Sequence, residues 1–75
     1  MEVTLDRLRL GQHGNVTVID GPLPLRKRLR AFGMVPGTCV SCRYRTPDGS
    51  VTAIELRSSV VAIRTRDMRC IRVTI

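Results

Sequence analysis

Seventy-five residues make one small domain, with a net charge of +7 from twelve arginines and one lysine against six acids. A 43% apolar content supplies a core and excludes a disordered tail, and no apolar run approaches the roughly 20 residues of a spanning helix. Three cysteines argue against a closed disulfide framework, and charges interrupt MEVTLDRLRL where a signal peptide would be apolar, so a reducing, cytoplasmic location is expected.

Thr4 to Leu8 reads as a short turn capped by Thr4, with Leu5 and Leu8 on one face. Gly11 and Gly14 bracket a loop holding Gln12 and His13, and Asn15 to Asp20 then alternates as a strand with Val16 and Val18 inward. From Leu23 to Phe32 the period changes. Leu25, Leu29 and Phe32 fall at i, i+4 and i+7, one face of a helix, and Arg26, Lys27, Arg28 and Arg30 fill the other faces. Pro24 suits the first turn, and Gly33 stands where a left-handed residue ends a helix, with Met34 folding back as the apolar contact of that stop. Val35-Pro36-Gly37 then hands the chain to a strand.

The remainder reads as β. Thr38 to Arg45 alternates with Val40, Cys42 and Tyr44 on one face, and Pro47-Asp48-Gly49 turns it into a second strand, Val51 to Arg57, with Ile54 and Leu56 inward. Ser58-Ser59 makes a tight connection to Val60–Arg64, Thr65 to Arg69 is one helical turn, and Ile71 to Ile75 closes the chain. One domain over residues 1–75 is expected: mainly β, a small five-stranded barrel with a helix in the first crossover and a short helical turn before the last strand. Closure would remove the edges that so small a sheet cannot otherwise protect.

Little chemistry is visible. Cys39-Val40-Ser41-Cys42 matches C-x-x-C, but within an alternating strand residues three apart face opposite sides, so Cys42 reads as a small core residue rather than half of a metal or redox pair. His13 has no partner in sequence, and the acids Glu2, Asp6, Asp20, Asp48, Glu55 and Asp67 are scattered. No nucleophile–base pair, phosphate loop or ligand cluster is present, so no catalytic residue, cofactor or metal is expected and the chain does not read as an enzyme.

The order of motifs resembles the FeoA family of bacterial ferrous-iron transport. The likeness rests on Leu5-x-x-Leu8, Val16-x-Val18, and the run Arg28-Leu29-x-x-Phe32-Gly33-Met34-x-Pro36-Gly37-x-x-Val40. Pro47, Ile54-x-Leu56, Val61-Ala62-Ile63-Arg64 and Ile71-x-Val73 extend it over nearly the whole chain. The resemblance implies an SH3-like barrel and a non-enzymatic role beside FeoB, the membrane ferrous-iron transporter with a cytosolic GTP-binding domain. Family members commonly carry a glycine before the fourth strand and an alanine in the last helical turn, where this chain has Ser58-Ser59 and Met68-Arg69.

Three readings follow. The first is an adaptor docking on the transporter's GTPase region through Arg26, Lys27, Arg28 and Arg30 and the corner at Gly33, Met34 and Pro36, with arginines forking to carboxylates. The second is a basic barrel binding nucleic acid nonspecifically, against which stand only two aromatics, Phe32 and Tyr44, with Phe32 expected in the core. The third is a regulatory domain binding a peptide or a second copy of itself.

Overall fold

The computed structural model describes residues 1–75. In chain order the elements are β1 (Glu2–Thr4), a 3₁₀ turn (Leu5–Arg7), β2 (His13–Ile19), α1 (Leu23–Ala31), β3 (Cys39–Arg45), β4 (Val51–Leu56), β5 (Ser59–Arg64), α2 (Thr65–Met68) and β6 (Ile71–Thr74). The strands form a single antiparallel sheet in the spatial order β1-β6-β2-β3-β4-β5. The mainly β, SH3-like arrangement with α1 in the first crossover is as the sequence indicates. It has six strands rather than five, because Glu2–Thr4 pairs with Arg72–Thr74. Its two end strands do not hydrogen-bond to each other, so the curled sheet keeps edges at β1 and β5. No helix is long and apolar enough to cross a membrane.

Fourteen buried apolar side chains fill the sheet's concave side. Leu5 and Leu8 enter it from the 3₁₀ turn, Leu25 and Leu29 from α1, and Met68 from α2, each fully buried side chain contributing about 1.5–3 kcal/mol. Thr4 donates and accepts no side-chain cap bond, so the turn is held by Leu5 and Leu8 rather than by its cap.

Two bulges overturn the simple alternation. In the β2–β6 ladder Val16 faces Val73 but Val18 faces Arg72, so an extra residue rotates Val18 outward and brings Ile19 opposite Ile71. In the β3–β4 ladder Cys42 faces Ile54 while Tyr44 faces Ala53. Tyr44 is therefore 58% exposed, and Arg45 takes the inward place. The Arg45 guanidinium donates to the Leu8 carbonyl at 3.0 Å and to Thr52 Oγ1 at 3.3 Å, so its charge is held at the mouth of the sheet. A bulge that adds one residue to one strand is how a short sheet acquires such curvature. His13, expected in a loop, opens β2 and is exposed; Cys39 is exposed and Cys42 buried.

The Thr46–Ser50 turn is held by Asp48, whose carboxylate accepts from the Ser50 amide at 3.0 Å, the Ser50 hydroxyl at 2.9 Å and the Thr46 hydroxyl at 2.7 Å. The Ser50 amide, followed by these hydroxyls, holds the Asp48 carboxyl below its ordinary value of 3.8. Arg57 (φ 49) and Ser58 (φ 68) form the β4–β5 turn, both in the left-handed region usually taken by Asn-Gly.

Candidate docking surface

The helix α1 stops where the sequence places its stop. Phe32 caps the helix just after its last residue, Ala31, and Gly33 follows at φ 89. The Gly33 amide donates to the Arg30 carbonyl at 2.9 Å and the Met34 amide to the Leu29 carbonyl at 3.0 Å, the paired bonds of a Schellman ending. Met34 and Leu29, the residues that this motif brings into contact, are both buried.

Thr38 then locks the corner to the sheet. Its hydroxyl donates to the Gly33 carbonyl at 3.2 Å and accepts from the Val35 amide at 3.3 Å. The Gly37 amide donates to the Val16 carbonyl at 2.7 Å, and the Val16 amide to the Thr38 carbonyl at 2.9 Å. The helix end and the Val35-Pro36-Gly37 turn are thereby one rigid piece with β2.

Early termination changes the expected stripe. Phe32, expected in the core, is 39% exposed, because the helix has ended at Ala31 and Phe32 is its cap; Met34, at 0% exposure, fills the interior place. Met34 therefore shapes the corner from beneath and offers a partner no surface, whereas Pro36 is exposed and Gly33 half-buried.

The four cations of α1 are all exposed, but they do not share one environment. Arg26 and Arg30, one turn apart, flank a shallow recess of about 170 Å³ whose other walls are Ile19, Met34, Val35 and Pro36. Neither they nor Lys27 has a carboxylate within ion-pair distance. Arg28 faces the other flank, where its guanidinium donates to Asp67 of α2 at 3.3 Å, a surface pair contributing at most about 1 kcal/mol. Arg28 and Asp67 line a second recess of about 300 Å³ together with Arg64 and Arg66.

Those two arginines and Arg57, whose Cδ lies 3.5 Å from where a Gly33 side chain would begin, extend the basic surface beyond the helix. No periodicity in the sequence points to them; only the tertiary fold sets them beside α1. Glu2, Asp6, Glu55 and Asp67 are each paired with an arginine, and Asp48 is held within its own turn. Arginines forked toward carboxylates or phosphates are what such a surface can offer chemically; no group of three or more metal-ligating side chains is brought together.

A family model described as the FeoA domain matches residues 3–75. Among solved structures, the chain is similar to a crystal structure of an iron uptake regulatory protein, FeoA, at 26% identity and TM-score 0.88, covering 99% of this chain and 97% of that one. It is similar at 25% identity and TM-score 0.81 to Stenotrophomonas maltophilia FeoA complexed with zinc, described as an SH3 domain protein, covering 95% of this chain and 88% of that one. A manganese-dependent transcriptional repressor shares the fold over 97% of this chain and 41% of its own, at 16% identity and TM-score 0.87. No curated protein matches the sequence.

Proposed function

The chain belongs to the FeoA domain family, which is associated with ferrous-iron transport, and from that premise we propose that it is a non-enzymatic cytosolic accessory docking on the GTP-binding region of a FeoB-type transporter. The carrying observation is that Arg26, Lys27 and Arg30 project without carboxylate partners from a helix whose end is bonded rigidly to the sheet. An array of cations held on a rigid corner is pre-organised for an acidic protein surface, and ordering it on binding costs little. Val35 and Pro36, which line the recess between Arg26 and Arg30, give that surface an apolar margin.

The test is a binding titration with the transporter's isolated cytosolic GTPase region at about 50 mM and about 300 mM salt, a range over which surface charge is progressively screened. Saturable binding, weakened at least about tenfold by Arg26→Glu with Arg30→Glu and by salt, supports the reading, since each lost charge contact costs on the order of 1 kcal/mol. A duplex DNA titration runs in parallel, because the exposed arginines would also attract backbone phosphates. If DNA alone binds, with a steep salt dependence, the chain is a nucleic-acid module and the docking reading fails.

A further inference from the structure

The sheet ends at β5, and no strand of the chain pairs with its outer side. The β4–β5 ladder shows which backbone groups lie free there. Leu56 faces Ser59 across the two-residue turn, and at the other end the Thr65 amide donates to the Ser50 carbonyl at 2.9 Å. Bonded and open pairs alternate along an antiparallel ladder, so Leu56–Ser59, Ile54–Val61 and Thr52–Ile63 exchange the bonds. The N–H and C=O groups of Val60 and Ala62 and the N–H of Arg64 therefore point away from β4, along the free edge, while the Arg64 carbonyl accepts the first bond of α2.

The side chains there are open as well. Val60 is 59% exposed, and Ala62 and Arg64 are exposed. Tyr44, Ala53 and Ala62 stand in one cross-strand row, so apolar surface runs across β3 and β4 to the edge. Proteins ordinarily blunt such edges with lysine, proline or a bulge. β5 contains neither residue, and its pairing with β4 runs without a register shift.

Charge decides what fits. Arg57 stands at one end of this edge and Arg64 and Arg66 at the other, without a carboxylate in ion-pair range. The nearby Glu55 is taken by Arg43 at 3.4 Å. A second copy of the chain would add its own +7 and its own Arg64 to the same strip, which opposes self-pairing. The strip also reaches the Arg28 flank of α1, away from Arg26 and Arg30, since Arg28, Arg64 and Arg66 line one recess.

We propose that the free edge of β5 accepts an extended acidic segment of a protein partner as a seventh strand. Its backbone bonds to the outward groups of Val60 and Ala62 and accepts from the Arg64 amide, its apolar side chains rest on Val60, Ala62 and Tyr44, and its carboxylates meet Arg57 and Arg64. This contact is separate from the α1 contact proposed above and fails separately from it.

The experiment titrates a short blocked peptide alternating glutamate and valine into the isotope-labelled chain, following amide shifts and hydrogen exchange. At saturation, exchange at Val60 and Ala62 slows by about tenfold or more, and the peptide stays bound when Arg26 and Arg30 are reversed. Ala62→Pro removes an outward N–H without touching the bonds to β4, an edge position where proline is tolerated. It is expected to keep the folded spectrum and weaken binding at least about tenfold. Arg64→Glu leaves the backbone intact and weakens binding as well. Equal binding of a lysine–valine peptide, unchanged affinity in Arg64→Glu, or shifts confined to α1 would overturn the proposal. Protection of β5 by self-association, without peptide, would overturn the choice of occupant.

Discussion

Replacing Gly33 by alanine isolates what stops α1. Gly33 sits at φ 89, and a Cβ there would meet nothing nearer than Arg57 Cδ at 3.5 Å, ordinary contact with a flexible side chain. Crowding thus contributes little, and the cost is the left-handed backbone, about 1–2 kcal/mol for an L residue. Alanine's lower unfolded-state entropy offsets about 0.5 kcal/mol of that. The expected net loss is about 1 kcal/mol, a fall in Tm of about 4–8 °C for a domain of this size, read by thermal and urea denaturation. Gly21 makes the contrast: it also has positive φ, 98, but a Cβ would lie 3.0 Å from Cys70 Sγ and 3.2 Å from Cys70 Cβ. Gly21→Ala should therefore cost more, about 2–3 kcal/mol. If Gly33→Ala falls within about 0.3 kcal/mol of the parent chain, or costs as much as Gly21→Ala, the helix stop does not rest on backbone conformation.

Three further outcomes can be checked on the same chain. Arg57→Asn with Ser58→Gly places favoured residues at the two left-handed positions of the β4–β5 turn and should raise stability by about 1 kcal/mol in denaturant titration. Met34→Ala, which empties a wholly buried place, should cost about 2–4 kcal/mol, while Phe32→Ala, at the overhanging end of α1, should cost less than half as much. The depressed carboxyl of Asp48 means that its turn adds stability fully present above pH 3.8 and lost as pH falls through the lower folded value; Asp48→Asn should flatten that part of the stability-versus-pH curve.

Local signals carried the reading of α1 and its stop, the Asp-Gly hairpin and the turn of α2, because Pro24, Gly33, Gly49 and the apolar spacing act within a few residues of themselves. What escaped depends on distant partners. β1 has three residues and exists only because β6 lies beside it. The bulges at Val16–Val18 and Cys42–Tyr44 are set by the neighbouring strands, so an unbroken period of two put Val18 and Tyr44 on the wrong side. Phe32 continued the helical stripe in sequence but not in space, since the chain leaves the helix at that residue. Of the docking surface, the α1 cations were visible in the pattern of charges. The division of that face by the Arg28–Asp67 pair, and the arrival of Arg57, Arg64 and Arg66 beside it, needed the fold.

The measurement that bears most directly on function maps the chain's amide signals while the transporter's GTPase region is added. Docking through the rigid basic corner predicts shifts concentrated on Arg26, Lys27, Arg30 and the Val35–Gly37 turn, diminishing as salt rises, with loss of the interaction when Arg26 and Arg30 are reversed. Shifts that spare Arg26, Lys27, Arg30 and the Val35–Gly37 turn, or binding indifferent to both salt and charge reversal, would contradict the account.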